Sequence, residues 1–273
     1  GRDFSALVQT LSLTSDFPGV CVELNASSDS DLEGEETFSV LLSGPNYTRA
    51  IVIPNQATVA ITDLSVVSLT LEKSEYRVTE GEISVRVCAN FSESDVIDRT
   101  VLATLETLPS DSAMAMTDFV PVVQTLTFNS NVLLCVDVEI YDDSVLEDTE
   151  TFSITLSSSD PQVIVGAVGV ASIIISDDDS VEVSLQGSSY EVDEGLSVLV
   201  CVSLSSDVER NVEVTLTTFS DSATATSDYI PLDRVLTFTS DDALCENVTT
   251  IEDDTLETAE IFQIALTSSD PNI

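Results

Sequence analysis

Histidine and tryptophan are absent from the 273 residues, and only 8 lysines and arginines stand against 49 aspartates and glutamates. Each shortage removes a class of function. Without histidine the chain lacks the usual catalytic base and the commonest zinc ligand, so a serine nucleophile has no imidazole to activate it. Without tryptophan, the acidic residues have no aromatic platform beside them for glycoside hydrolysis by paired carboxylates. A net charge of −41 repels phosphate backbones and anionic membrane surfaces, which excludes nucleic acid as a partner. No apolar run approaches the roughly 18 residues of a membrane span, so the segment does not insert into a bilayer. Gly-rich phosphate loops, Cys-x-x-Cys zinc spacings and D-x-N-D-N linkers are also missing. The composition therefore points away from an enzyme.

What is present repeats. The stretch Tyr141-Asp142-Asp143-Ser144-Val145-Leu146-Glu147-Asp148-Thr149-Glu150-Thr151-Phe152 is an acidic turn running into an alternating strand, and versions of it surround Phe38 and Phe262, 114 residues before and 110 after. A recurrence this long implies tandem copies of one domain, each of about 100 residues. Asp3-Phe4 corresponds to Asp118-Phe119 and Asp228-Tyr229. Residues 1–64 then supply the second half of a domain, 65–179 a complete one, and 180–273 a copy without its last strand. The start at Gly1-Arg2-Asp3-Phe4 has no signal-peptide core, and both ends fall in mid-repeat, as expected of a piece of a longer protein.

Period-two alternation predicts strands throughout and helices nowhere. In the first copy the strands fall at Leu7–Leu13, Val20–Leu24, Glu36–Leu42 and Ala57–Ile61, with Gly44, Pro45, Pro54 and Asn55 reversing the chain between the last two. In the complete copy about seven short strands, including Ser84–Ala89 and Val101–Leu105, predict an all-β fold of Ig-like antiparallel sandwiches in tandem. In the third copy Val183–Leu185, Tyr190–Val192 and Val198–Leu204 match the opening strands. Glu246 falls where Val136 has a core position, which suggests a local bulge.

The five cysteines share the repeat. Cys21, Cys135 and Cys245 are equivalent, and Cys88 matches Cys201. Bridges Cys88–Cys135 and Cys201–Cys245 follow, between facing positions of adjacent antiparallel strands that point away from the core, with Cys21 left over. Two such bridges imply an oxidising, extracellular setting, as do the N-x-[ST] triplets at Asn25, Asn46, Asn90 and Asn247.

If the strands pair in this way, five separated parts of the complete copy meet at one end of the sandwich. They are Glu80, Asp118, Asp142 with Asp143, Glu147 with Glu150, and Asp177 with Asp178 and Asp179. Oxygen ligands alone, in excess and on adjustable loops, suit Ca2+, which takes about 6–8 oxygens, better than the stricter octahedron of magnesium. The order V-x-E-G, then S/T-D-[FY]-x-P, L-T-F, D-D-x-x-x-E-x-x-E-x-F and I-x-D-D-D resembles the Calx-beta domain, found in the regulatory region of sodium/calcium exchangers and in tandem arrays of cell-surface and matrix proteins. The resemblance implies Ca2+ ligation near the junction with the next repeat by the residues just named. In the third copy it implies the same of Glu194, Asp228, Asp253, Glu257 and Glu260, with Glu252 replacing the first aspartate. In the first copy Ser28, Leu64 and Ser65 replace ligands, leaving Asp29, Glu33, Glu36 and Asp63, which predicts a weak or lost site.

The leading expectation is an extracellular array for adhesion, matrix organisation or cell communication. Ca2+ stiffens the junctions between neighbouring Calx-beta repeats, and protein or glycan ligands are met in the matrix or on cells. The alternative is the Ca2+-sensing regulatory region of a membrane transporter such as a sodium/calcium exchanger.

Overall fold

Apolar residues at every second position bury one side of an extended chain and leave the other polar. In the computed structural model these stretches pair as strands. The structure describes residues 3–16, 18–44, 54–108 and 112–273, and no helix occurs among them. Pro45 and the Asn46 triplet lie outside the described residues. The early strands are β1 (Asp31–Leu32), β2 (Glu36–Leu41) and β3 (Gln56–Ile61). Next come β4 (Val67–Leu71), β5 (Glu75–Thr79), β6 (Ser84–Phe91), β7 (Val96–Ile97), β8 (Val101–Leu108) and β9 (Val123–Phe128). They are followed by β10 (Leu134–Glu139), β11 (Glu150–Ser157), β12 (Val163–Val165) and β13 (Val170–Ser176). The last group is β14 (Val183–Leu185), β15 (Ser197–Leu204), β16 (Val212–Ser220), β17 (Asp233–Phe238), β18 (Leu244–Thr249) and β19 (Phe262–Thr267).

The middle repeat is a sandwich of a four-stranded sheet, β10-β6-β4-β12, and a five-stranded sheet, β5-β13-β11-β8-β9. Its core forms where Val87, Phe91 and Val138 of the first sheet meet Leu105, Phe128, Phe152 and Ile173 of the second. The sandwich is not wholly antiparallel. β12 lies parallel to β4, and β5 crosses to lie parallel to β13.

The third repeat holds β14-β15-β18 and β17-β16-β19 around Val200, Val202, Leu216 and Phe238. Tyr190–Val192, expected as a strand, is not one. Its counterpart β5 has β13 as its only sheet partner, and residues 180–273 contain no copy of β13 to receive it. Leu7–Leu13 and Val20–Leu24 also form no strands. Their counterparts β9 and β10 pair with β8 and β6, and residues 1–64 contain neither. The hairpin β2–β3 does form, because both of its strands are present.

Both disulfides are formed, Cys88–Cys135 and Cys201–Cys245, each joining directly opposed positions of β6 and β10 or of β15 and β18. Cys21 is free and exposed. The outward face expected of Cys88 is covered, leaving it 5% exposed; the chain just beyond β4 runs alongside, with the Glu72 N–H donating to the Cys88 carbonyl at 2.9 Å. Glu246 causes no bulge. It pairs in register with Val200, and its carboxylate accepts from Arg234 Nε at 3.3 Å.

Candidate metal centre

Two rings at the base of each acidic tip set its geometry. Phe119 stacks on Phe152 with centroids 3.8 Å apart, Phe4 on Phe38 at 4.0 Å, and Tyr229 on Phe262 at 4.2 Å. An aspartate precedes the first ring of each pair and a glutamate stands two residues before the second. The stacking therefore brings Asp118 to Glu150, Asp3 to Glu36 and Asp228 to Glu260. The tight turn before each later aspartate is closed by that side chain: Asp118 Oδ2 accepts from the Met114 N–H, and Asp228 Oδ2 from the Thr224 N–H at 2.6 Å. Met116 and Thr226 within these turns both take φ of 72°, a left-handed conformation unfavourable for side chains other than glycine. The carboxylates are held in place at a local backbone cost.

In the middle repeat the predicted residues converge as two neighbouring triads. Ligand oxygens of Asp118, Glu147 and Glu150 lie within 4.8 Å of one another, and so do those of Glu80, Asp143 and Asp179. Glu80, in the turn after β5, is only 5% exposed and accepts no hydrogen bond among the described residues. Glu150 Oε2 and Asp179 Oδ2 are likewise buried without a partner. Burial pushes the Glu80 carboxyl up to about 8, with Glu147, Asp177, Asp143 and Asp179 adding repulsion. Burial also raises Glu150 to about 8, assisted by its contact with the Asp118 carboxyl, and Glu147 to about 7, assisted by Glu209. Asp179 is raised by burial and then by Asp177 and Asp178. An all-oxygen, anionic, partly dehydrated cluster with orphaned acceptors fits a hard divalent cation.

The remaining predicted residues stand around these triads. Asp177 spends its oxygens on backbone, Oδ2 accepting from the Glu147 N–H at 2.8 Å and Oδ1 from the Asp179 N–H at 2.7 Å. Asp178 accepts from the Gly81 N–H at 3.1 Å, and a Cβ on Gly81 would come within 2.7 Å of its other oxygen. Asp142 is exposed and belongs to neither triad. In the third repeat Asp228, Glu257 and Glu260 form a triad. Burial and then Asp228 raise Glu257 and Glu260, with Glu194 contributing to both and Asp253 to Glu257. Glu252 instead packs against Gly195. The first repeat still gathers a triad, Asp3, Glu33 and Glu36. Asp3 was not among its expected ligands, although its match to Asp118 was the signal that could have found it.

The sequence profile of the Calx-beta domain matches residues 1–65, 64–179 and 176–272. The chain belongs to the Calx-beta family. Similar solved structures include the apo-form Calx CBD1 domain, 28% identical over 42% of this chain and 100% of that one, with a TM-score of 0.39. CBD12 from CALX1.2 is 24% identical over 76% and 83%, TM-score 0.39, and the calcium binding domain CBD12 of CALX1.1 is 24% identical over 75% and 82%, TM-score 0.38. No curated protein sequence matches the chain.

The tips of the first and the middle Calx-beta repeat are each joined to the following repeat through a leucine. Leu32 of β1 pairs with Ile97 of β7 and is fully buried in the core of the middle repeat. Leu146 bridges Val208 and is fully buried in the core of the third. Leu256, at the same position of the third tip, is 100% exposed. The leucine stands directly before Glu33, Glu147 or Glu257, so one loop carries both an interdomain plug and a candidate ligand. Within one repeat the loop reads only as an acidic turn, because the plug gains its meaning from the core of the next repeat.

Proposed function

We propose that this Calx-beta array binds Ca2+ at the tips of its repeats, and that the ion sets the stiffness of the junction beyond. The units are residues 1–64, 65–179 and 180–273. The ligands in the middle repeat are Glu80, Asp118, Asp143, Glu147, Glu150 and Asp179, with Asp142, Asp177 and Asp178 shaping or backing them. In the third they are Asp228, Glu257 and Glu260, backed by Glu194, Asp253 and Glu252. The observation that carries this is the pair of buried carboxylate oxygens without a partner, Glu150 Oε2 and Asp179 Oδ2, beside Glu80, a glutamate 5% exposed among further carboxylates. Burying uncompensated charge costs several kcal/mol unless it is neutralised. A cation neutralises all the carboxylates at once. The role is one of binding and mechanics, without catalysis.

Of the two settings, Ca2+-sensing regulation is favoured over adhesion. The Calx-beta family membership supports a cation-responsive module. A specific observation keeps the extracellular reading as the second: both predicted disulfides are formed, and Asn25 and Asn247 are exposed for glycosylation. There, protein or glycan ligands would be the further partners.

Calorimetric titration of the full chain with Ca2+ tests the reading. Saturable binding is expected, weakened at least about tenfold by Glu80→Gln, since even outer-shell changes at metal sites cost about 10–100-fold. Absence of any Ca2+ heat in the native chain overturns it. Thiol counting on protein from its natural source separates the settings, because free cysteines throughout would remove the extracellular one.

A further inference from the structure

We propose that Asn247 carries an N-linked glycan that covers the open edge of the third repeat, strand β18. This goes beyond cation binding and rests on the extracellular setting above, the one in which such glycans are added. The acceptor triplet is Asn247-Val248-Thr249. It lies on β18, which ends its sheet with β15 on one side and no strand on the other among the described residues. Val248 is buried, so Asn247 and Thr249 on either side of it share the outward face, and Asn247 is exposed.

The backbone is open at the same point. Cys201 and Cys245 face each other with Cα atoms 4.0 Å apart, the narrow spacing of a pair that exchanges no ladder bonds. Residues two apart repeat that orientation, so the N–H and C=O of Asn247 point away from β15. Thr249, two residues further on, keeps the direction, its carbonyl accepting from the Ile230 N–H at 3.0 Å. An edge of this kind is a template for pairing with another strand.

The middle repeat closes the equivalent edge differently. There Asp137 stands at the place of Asn247 and Arg86 at the place of Leu199, opposed in register across β10 and β6. Charged side chains on an edge discourage pairing. In the third repeat that couple becomes Asn247 opposite Leu199, and Leu199 is 54% exposed. The charges are gone, a leucine is uncovered, and a glycan acceptor stands beside it. A bulky, solubilising sugar on Asn247 restores the protection that Asp137 gives its own edge. The other described acceptors have no such task. Asn90 lies half-buried on β6, between β4 and β10, and Asn25 is exposed on a stretch that forms no strand.

The transfer needs a donor of one chemical class, an oligosaccharide joined through its C1 to a lipid diphosphate. The Asn247 amide nitrogen bonds to C1 as the C1–O bond to the diphosphate breaks. The lipid diphosphate leaves with the electron pair, the nitrogen gives up one proton, and nothing is oxidised or reduced.

Two measurements test this. Glycopeptide mass spectrometry on protein from its natural source, with thiols counted in the same sample, is expected to find a glycan on Asn247 and both bridges oxidised. A bare Asn247 beside oxidised cysteines overturns the proposal alone, whereas free cysteines throughout overturn the extracellular setting and the proposal with it. Light scattering on the full chain secreted from eukaryotic cells then reads the edge. The native chain is expected to be monomeric and Asn247→Gln to shift to dimers or larger species. Asn247→Asp, which restores the pattern of β10, is expected to return to the monomer. Asn247→Gln combined with Leu199→Arg should do the same, which separates an open edge from a misfolded one. A monomeric Asn247→Gln, or association of Asn247→Asp as strong as that of Asn247→Gln, overturns the proposal.

Discussion

The two junctions share a leucine plug and differ in what surrounds it. At the first, the Gln162 amide bonds to Asp63 and Ser65, and Asp63 also accepts from the Glu33 and Ser65 N–H groups at 3.0 and 2.7 Å. Those bonds outweigh burial and hold the Asp63 carboxyl below its ordinary value. At the second, Asp177 accepts from the corresponding Glu147 and Asp179 N–H groups at 2.8 and 2.7 Å, and Asn272 takes the place of Gln162 with a side chain one methylene shorter. Both tips gather carboxylates, Asp3, Glu33 and Glu36 at the first and Asp118, Glu147 and Glu150 at the second. The side-chain amide of Gln162 is what the first joint adds. A repeat fold that is uniform in its sandwich can therefore tune each joint by one or two side chains.

The largest effect tests what the junctions have in common. Leu146→Ala should destabilise the third repeat by about 2–5 kcal/mol, and Leu32→Ala the middle repeat by a similar amount, because each empties a place in the neighbour's core. Leu256→Ala should stay within about 0.5 kcal/mol in the same denaturant series. A large loss at Leu256, or none at Leu146, would break the equivalence of the tips. Reduction of Cys88–Cys135 and Cys201–Cys245 should cost each repeat about 2–4 kcal/mol while leaving the contrast between the junctions intact, as read by chemical unfolding with and without reductant.

The acidic tip gives a pH test. Carboxyls raised in the folded protein bind protons there that the unfolded chain has already released, so stability falls as pH rises. For Glu80, Glu147 and Glu150 the loss should run from their ordinary value of 4.5 to about 8, 7 and 8 respectively. In chelator the melting temperature should drop by at least about 4 °C across that window. Saturating Ca2+ should flatten the profile, and a flat profile in chelator would mean the carboxylates are already compensated. The smallest expected effect is Gln162→Ala, about 1 kcal/mol, loosening the first junction equally with and without Ca2+.

Much of this was legible in the sequence. Equivalent cysteines gave both disulfides, and alternation gave β6, β8, β10 and β11, because these strands bury one face against a core the same repeat provides. Alternation failed at Tyr190–Val192 and at Leu7–Leu13, where the side-chain pattern is present and the pairing strand is not. The convergence of Glu80, Asp118 and Glu147 could be anticipated, since strand ends in a sandwich must meet at its tip. The plug at Leu146 could not be anticipated, because its meaning depends on a contact between repeats that no periodicity within one repeat reports. Asp177, expected as a ligand, is held by two backbone amides, a geometry that spacing does not reveal.

The most direct measurement is the distance distribution across each junction, from label pairs placed on the flanking repeats, in Ca2+ and in chelator. The second junction should broaden when the ion is withdrawn while the first stays narrow. No change at the second junction would contradict the proposal that a cation at its tip sets its stiffness, and equal broadening at both would contradict a weaker site in the first repeat.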